Sequence, residues 1–325
     1  MDPAEGGSLL RFDDGVFFSS LQDDYCLPIP SHPPETERLD LQHEAFKYTI
    51  GNLPQEVGLV LAECDGAQVL DVGCGTGKWA VEVAEALPHV QVVGIDLVDP
   101  PIPTSPPNCQ YVPFPFAYNT SAVLRTSDLR IGSFEIRDIV SGLPYPDETF
   151  DVVHVRDLIS GIRAYEEMLA ECVRVLKPGG YLLVVEIEWV VSCLTGEEAE
   201  SQLPTCHNTL FHEALEERGL DAWAAQSLDA HVAAVNQIER ESVRLDRRSV
   251  PLGGWAGDPY LSYAGRMSLD AFRHFGNAIR ILMQDHGVFG SDDMHSAALE
   301  ELDVDAGASQ PVWVFDSVTA RKKSA

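Results

Sequence analysis

The sequence predicts an α/β protein built on a mainly parallel β-sheet with helices on both faces, and two observations carry that reading. A strand, a glycine turn, a helix and a second strand follow one another within residues 68–96, the order of a βαβ unit. Strand-like and helix-like stretches keep alternating to about residue 189, the pattern of a parallel sheet covered on both sides. A length of 325 residues accommodates one large domain with appendages, or two modest ones.

Each element follows from its own pattern. Residues 1–36 mix acids, prolines and Phe12, Phe17, Phe18 and Tyr25 without a period, and are expected to be an extension, partly disordered, whose aromatics dock on the core. Residues 35–51 place Leu39, His43, Phe46 and Ile50 at helical spacing, with Gly51 as a stop. Gln68–Val72 predicts the first core strand, the run from Lys78 a helix stopped by Pro88, and Val90–Ile95 a second strand with Asp96 at its tip. Residues 99–133 are rich in proline, serine and asparagine and are expected to be a surface insertion. Residues 134–138 then predict a third strand, 150–158 a fourth, 164–176 a helix, 177–180 a tight turn and 181–189 a fifth strand. Beyond Trp189 the pattern is helical to about Asn236. A strand is expected over 242–252, a helix capped by Ser268 over 268–287, and a last strand over 312–322.

Composition narrows the function classes. There are 51 acidic against 22 basic residues, a formal charge of −29. Such a field repels a phosphate backbone and argues against nucleic-acid binding, while tolerating a neutral or cationic small molecule or a basic protein partner; plain solubility is the simpler explanation. No apolar run reaches membrane-spanning length, and the acidic amino terminus is unlike a secretory or mitochondrial signal, so the cytoplasm is expected, with the nucleus as alternative. The seven cysteines are scattered without a C-x-x-C pair, which predicts buried thiols and no metal site. Cys206, His207 and His212 lack a fourth ligand at regular spacing and are expected on a helix surface.

The run VLDVGCGTGKWA carries the chemistry. A dinucleotide fingerprint needs a third glycine where Lys78 stands, and a phosphate-gripping loop needs a glycine at Val72 and a hydroxyl at Trp79. Both phosphate readings therefore fail. Asp71 would repel a pyrophosphate but can hold an ammonium, and Gly73, Gly75 and Gly77 let an uncharged nucleoside approach the backbone. Asp96 is placed to accept from ribose hydroxyls and Asp138 from an adenine amino group, each at a strand end where parallel sheets bind ligands. The cofactor this set predicts is S-adenosyl-L-methionine. The plainer explanation is a tight packing turn with acids acting as helix caps.

The blocks VLDVGCGTG, GIDL, LPYPDETFDVVHVRDL and LKPGG, in that order over about residues 37–189, resemble class I S-adenosylmethionine-dependent methyltransferases. The resemblance implies a Rossmann-like seven-stranded sheet whose last strand, residues 312–322, runs antiparallel. It divides the chain into an extension (1–36), a cofactor-binding core (37–190) and a helical cap with the final strands (191–325). A narrower resemblance, through residues 25–28, ERLDLQH, GTGKWA and PLGGW, is to fungal LaeA-like methyltransferases of secondary metabolism.

The candidate cofactor contacts are Asp71, Gly73, Gly75, Gly77, Asp96 with its neighbour Leu97, Asp138 with its neighbour Ile139, Arg156, Tyr25 and Arg38. Arg38 is equally explained by pairing with an acid on its own helix and Arg156 by pairing with Asp157, while His43 on the apolar stripe is more often a packed histidine than a base. Trp223, Trp255 and Tyr260 are candidates for an aromatic wall around the acceptor, though core packing is the commoner role. No catalytic residue is nominated, because in-line methyl transfer requires a dedicated base only for a protonated acceptor. The expected function is methylation of a small molecule; the alternative is a regulator or scaffold that acts through protein partners.

Overall fold

The computed structural model describes residues 10–13, 16–19, 32–96, 104–113, 142–194, 206–285 and 310–324. Its centre is a seven-stranded sheet. In chain order the strands are β3 (Gln68–Val72), β4 (Gln91–Asp96), β5 (Cys109–Pro113), β6 (Phe150–Arg156), β7 (Leu176–Cys193), β8 (Arg244–Pro251) and β9 (Pro311–Arg321). Two short strands, β1 (Leu10–Asp13) and β2 (Val16–Ser19), form a separate antiparallel pair.

The spatial order is β5-β4-β3-β6-β7-β9-β8. Neighbours from β5 to β7 pair in parallel, and β9 lies antiparallel between β7 and β8. The expected reversed strand over 312–322 is thus present, inserted one place from the edge. The order turns back between β3 and β6, where the chain leaves the β3–β4–β5 half. That is the switch point at which open α/β sheets bind ligands.

Helices α1 (Pro33–Thr49), α2 (Gln55–Glu63), α3 (Lys78–Ala86), α4 (Tyr165–Val175), α5 (Cys206–Glu217), α6 (Leu228–Ala234) and α7 (Pro259–Asp285) pack around the sheet. The central strands are apolar on both faces because both are covered: β6 buries Val152, Val153 and Val155 together. One cluster sets Leu70, Val153 and Val184 against Met168, Leu169 and Val173 of α4. Another sets Val69 and Val92 against Trp79, Ala80 and Val83 of α3.

Three expectations are corrected. Within the expected surface insertion, residues 109–113 are a parallel strand on β4. Cys109 is buried and Tyr111 packs against the α3 side of the core, a five-residue strand hidden by its proline-rich flanks. The tight turn over 177–180 is a skip inside β7: Phe150 pairs with Leu176 but Val152 already pairs with Tyr181. Ser268 caps no helix. It lies buried inside α7, which starts at Pro259 with Asp258 Oδ1 accepting from the N–H of Tyr260 and Leu261, both at 2.9 Å. Asp followed by Pro is a helix-start signal in its own right. The expected strand over 134–138 lies outside the described residues.

Candidate active site

The β3–α3 turn is built by its glycines. Gly73, Gly75 and Gly77 have φ of +67°, +57° and +75°, values that side chains rarely adopt. A Cβ at Gly73 would also stand 2.5 Å from Leu158 Cδ2. The turn is tied across the sheet by Cys74 N–H to Ile95 O (2.9 Å) and closed by Gly77 N–H to Cys74 O (2.8 Å). Asp96, at the tip of β4, accepts the Gly75 N–H at 2.7 Å, so this acid fixes the middle of the turn. Lys78 points away from the turn to Asp40 of α1, 3.2 Å off.

A cavity opens over this turn. It is lined by Gly73, Cys74, Gly75, Thr76, Asp96, Arg156, Asp157 and Leu158 from the sheet side, and by Arg38, Leu39, Gln42, His43 and Phe46 from α1. Helix α1 starts with Pro33 and Pro34 and a first-turn Glu35, then buries a polar stripe of Glu35, Arg38 and Gln42. The stripe is satisfied internally. Arg38 grips Glu35 with two bonds, 2.9 and 2.7 Å, and donates to Gln42 Oε1 at 2.8 Å; Gln42 Nε2 then donates to Asp157 Oδ2 at 2.9 Å. Of the two readings of Arg38, the acid pairing is therefore present, and Arg38 lines the cavity as well.

Arg156 does not hydrogen-bond Asp157. It donates to His43 Nδ1 at 3.2 Å and stands over the Phe46 ring at 5.1 Å. Burial and the neighbouring Arg156 guanidinium lower the His43 pKa to about 3, so the ring is neutral and its Nδ1 accepts. Asp157 follows β6 with φ +54°. Its Oδ1 is out of solvent contact and has no hydrogen-bond partner. Burial pushes its carboxyl up to about 6, against the opposing pull of Arg38, Gln42 and Arg156. The loop behind it is held by Glu186, which accepts from the N–H of Leu158 and Ile159 and from Tyr165 Oη.

Asp71 lies outside the lining. It is buried in β3 and accepts from His154 Nδ1 at 2.7 Å, while the His154 ring stacks on Trp79 with centroids 3.8 Å apart. Gly77 caps α3 and also lies outside the lining. Tyr25, Leu97, Asp138 and Ile139 lie outside the described residues. Among the lining residues that sequence reasoning passed over are Gln42, which breaks the apolar stripe of its helix, and Asp157. The latter was open to the same strand-end rule that singled out Asp71, Asp96 and Asp138.

None of the three candidates for an aromatic wall lines this cavity. Trp223 packs edge-on against His212, Trp255 donates to Pro311 O, and Tyr260 is 66% exposed beside Tyr48. His212 is buried rather than on a helix surface, with Nε2 3.1 Å from Trp189 O. Among the described residues His43, Glu44 and Glu82 are close enough to share an ion. Glu82 is already held by Lys47 and Asn52, and His43 by Arg156.

Comparison with known proteins agrees with this geometry. Residues 70–184 match a methyltransferase domain model. The secondary metabolism regulator laeA of Coprinopsis cinerea is 29% identical over 272 residues, covering 80% of this chain and 61% of that protein. The methyltransferase pytC of Aspergillus terreus is 25% identical over 246 residues, covering 74% of this chain and 65% of that one. The chain thus spans less than two thirds of the length of these relatives. Among solved structures, Haemonchus contortus phosphoethanolamine N-methyltransferase 2 with S-adenosyl-L-methionine aligns at TM-score 0.41 and 16% identity, over 86% of this chain and 56% of that one. The cyclase SpnF aligns at TM-score 0.43 and 18% identity, over 93% and 100%. The strand order, the glycine turn and the domain match together make residues 70–184 a methyltransferase domain on a Rossmann-like sheet, and the chain as a whole is similar to LaeA-like proteins.

Proposed function

We propose that the chain binds S-adenosylmethionine in the cavity over the β3–α3 turn and directs its methyl group to a small-molecule acceptor in specialised metabolism. The observation that carries this reading is the polar set on one cavity: a glycine turn fixed by Asp96, two guanidinium groups and a carboxyl oxygen without a partner. The cofactor fits these residues. Gly73 and Gly75 keep side chains off the backbone where a nucleoside would lie, Asp96 stands where ribose hydroxyls donate, and Arg38, Arg156 and Asp157 offer both charges to an amino-acid end. When bound, the sulfonium supplies an activated methyl group, and the chain has only to orient the partners and exclude water.

The chain's own residues contribute positioning. Glu35, Arg38 and Gln42 hold one wall of the cavity through a continuous hydrogen-bond chain, and the neutral His43 keeps the Arg156 guanidinium in place. No helix among the described residues is long and apolar enough to cross a membrane. The reading is tested by incubating the protein with S-adenosylmethionine and a fungal metabolite extract, then searching by mass spectrometry for products heavier by one methylene. Such a product, absent with Asp96→Ala, supports it; methyl transfer to polypeptides alone would replace it.

One observation favours a second reading. Several relatives bear the name of secondary metabolism regulators, so a chain that binds the cofactor but acts through a protein partner is the alternative. Affinity capture under native conditions, with no turnover on extract, distinguishes it.

A further inference from the structure

We propose that Asp157, rather than Asp71, is the carboxylate that receives the ammonium end of the bound cofactor; this rests on the S-adenosylmethionine reading above. Both acids stand at the carboxyl end of a central strand, and both keep one oxygen without a partner. Their surroundings separate them. Asp71 is sealed between His154 and the strand neighbours and does not reach the cavity. Asp157 lines it.

Three features single out the Asp157 carboxyl as one that a ligand would complete. Gln42 occupies Oδ2 and leaves Oδ1 facing nothing that donates, and a buried acceptor is costly to leave unsatisfied. The backbone at Asp157 is left-handed, with φ +54°, a strained state for a residue other than glycine. That state is clamped on both sides: Asp157 N–H donates to Val185 O at 2.9 Å, and Glu186 accepts from the next two N–H groups. A backbone held this firmly fixes the Cα–Cβ direction of Asp157, and Gln42 holds its carboxyl.

The charges around it match a zwitterion. Arg38 and Arg156 line the same cavity and suit an α-carboxylate, which leaves Asp157 as the partner for the adjacent ammonium. Burial already raises the Asp157 pKa, and a cation brought to Oδ1 reverses that by favouring the ionised form. An uncharged nucleoside offers no group for this corner.

The test compares two ligands that differ only at that end. S-adenosylhomocysteine carries the zwitterion, whereas 5′-deoxy-5′-methylthioadenosine ends in a thioether methyl. Both are titrated by calorimetry into the wild type and into Asp157→Asn, a change that suits left-handed backbone. We expect the variant to bind S-adenosylhomocysteine about 10- to 100-fold more weakly, the range of a charged hydrogen bond, and methylthioadenosine within about threefold. Equal weakening of both ligands, or none, overturns the assignment.

Should the variant not fold, the wild type decides. The charged groups facing Asp157 are Glu35 and Arg38 from α1, Arg156 from its own strand and Glu186 from β7. Lowering the pH from 7.5 to 5 is expected to weaken S-adenosylhomocysteine relative to methylthioadenosine, and a constant ratio overturns the assignment. If the wild type binds neither ligand, the cofactor reading falls and takes this assignment with it.

Discussion

Substituting Gly265 by alanine sets two physical effects against each other, and the sign of the outcome decides between them. Gly265 lies inside α7, where Gly→Ala ordinarily stabilises by about 1 kcal/mol because glycine loses more backbone freedom. Here a Cβ would be driven into the backbone carbonyl of Gly253, and would stand 2.8 Å from Pro251 Cβ. Gly253 N–H donates to Gly265 O at 2.9 Å, so helix and turn cannot separate without losing that bond. Overpacking costs about 1–3 kcal/mol and the bond about 0.5–1.5. Less the helical gain, the net expectation is a loss of about 1–3 kcal/mol. Gly58 in α2 has nothing within 4 Å of its Cβ position, so Gly58→Ala should gain ~0.5–1 kcal/mol. Urea denaturation of both variants measures the pair. A stabilised Gly265→Ala would refute the close approach of α7 to the turn after β8.

Three further outcomes follow from named contacts. Gly73→Ala should weaken ligand binding by displacing the cavity-lining Leu158 side chain, and should cost about 1–2 kcal/mol by denaturation from left-handed strain. Asp258→Ala removes the acceptor of two N–H groups at the start of α7 and should cost ~1 kcal/mol, read from the urea midpoint. His154→Ala strands the buried Asp71 carboxylate and should cost about 3–5 kcal/mol, whereas Asp71→Ala with His154→Ala should cost less than the sum.

Asp157 gives a pH signature. Its folded pKa of about 6 lies above the ordinary carboxyl value, so the native state holds a proton that the unfolded chain has released between about pH 4 and 6. Stability contributed by this group is therefore present below that window and lost as pH rises through it. Raising a carboxyl this far corresponds to ~3 kcal/mol, and partial exposure trims it to ~1–2. Asp157→Asn should thus gain on the wild type by about that much from pH 4 to 7.5; a gap independent of pH would contradict the burial of Oδ1.

Where a single period governed a stretch, the sequence was readable. Residues 150–156 are apolar almost without break because both faces of β6 are covered, and the glycine turn declared itself because only glycine tolerates three positive φ values in five residues. Residues 109–113 were obscured by the prolines around them, and α7 began nine residues earlier than its apolar period suggested. The site was harder still. Glu35, Arg38 and Gln42 are polar residues buried by one another, and no hydrophobic pattern marks a face satisfied by hydrogen bonds. Asp71 and Asp157 are equivalent as strand-end acids in sequence. Only the contact with His154 shows that one of them is already taken.

The most direct test of the central claim is calorimetric titration of the purified chain with S-adenosylmethionine, S-adenosylhomocysteine and NADH, in the wild type and in Asp96→Ala. The account predicts binding of the two sulfur ligands, about tenfold or more weaker in the variant, and none for NADH. Failure of the wild type to bind either sulfur ligand would mean that the glycine turn serves packing alone, and would contradict the account.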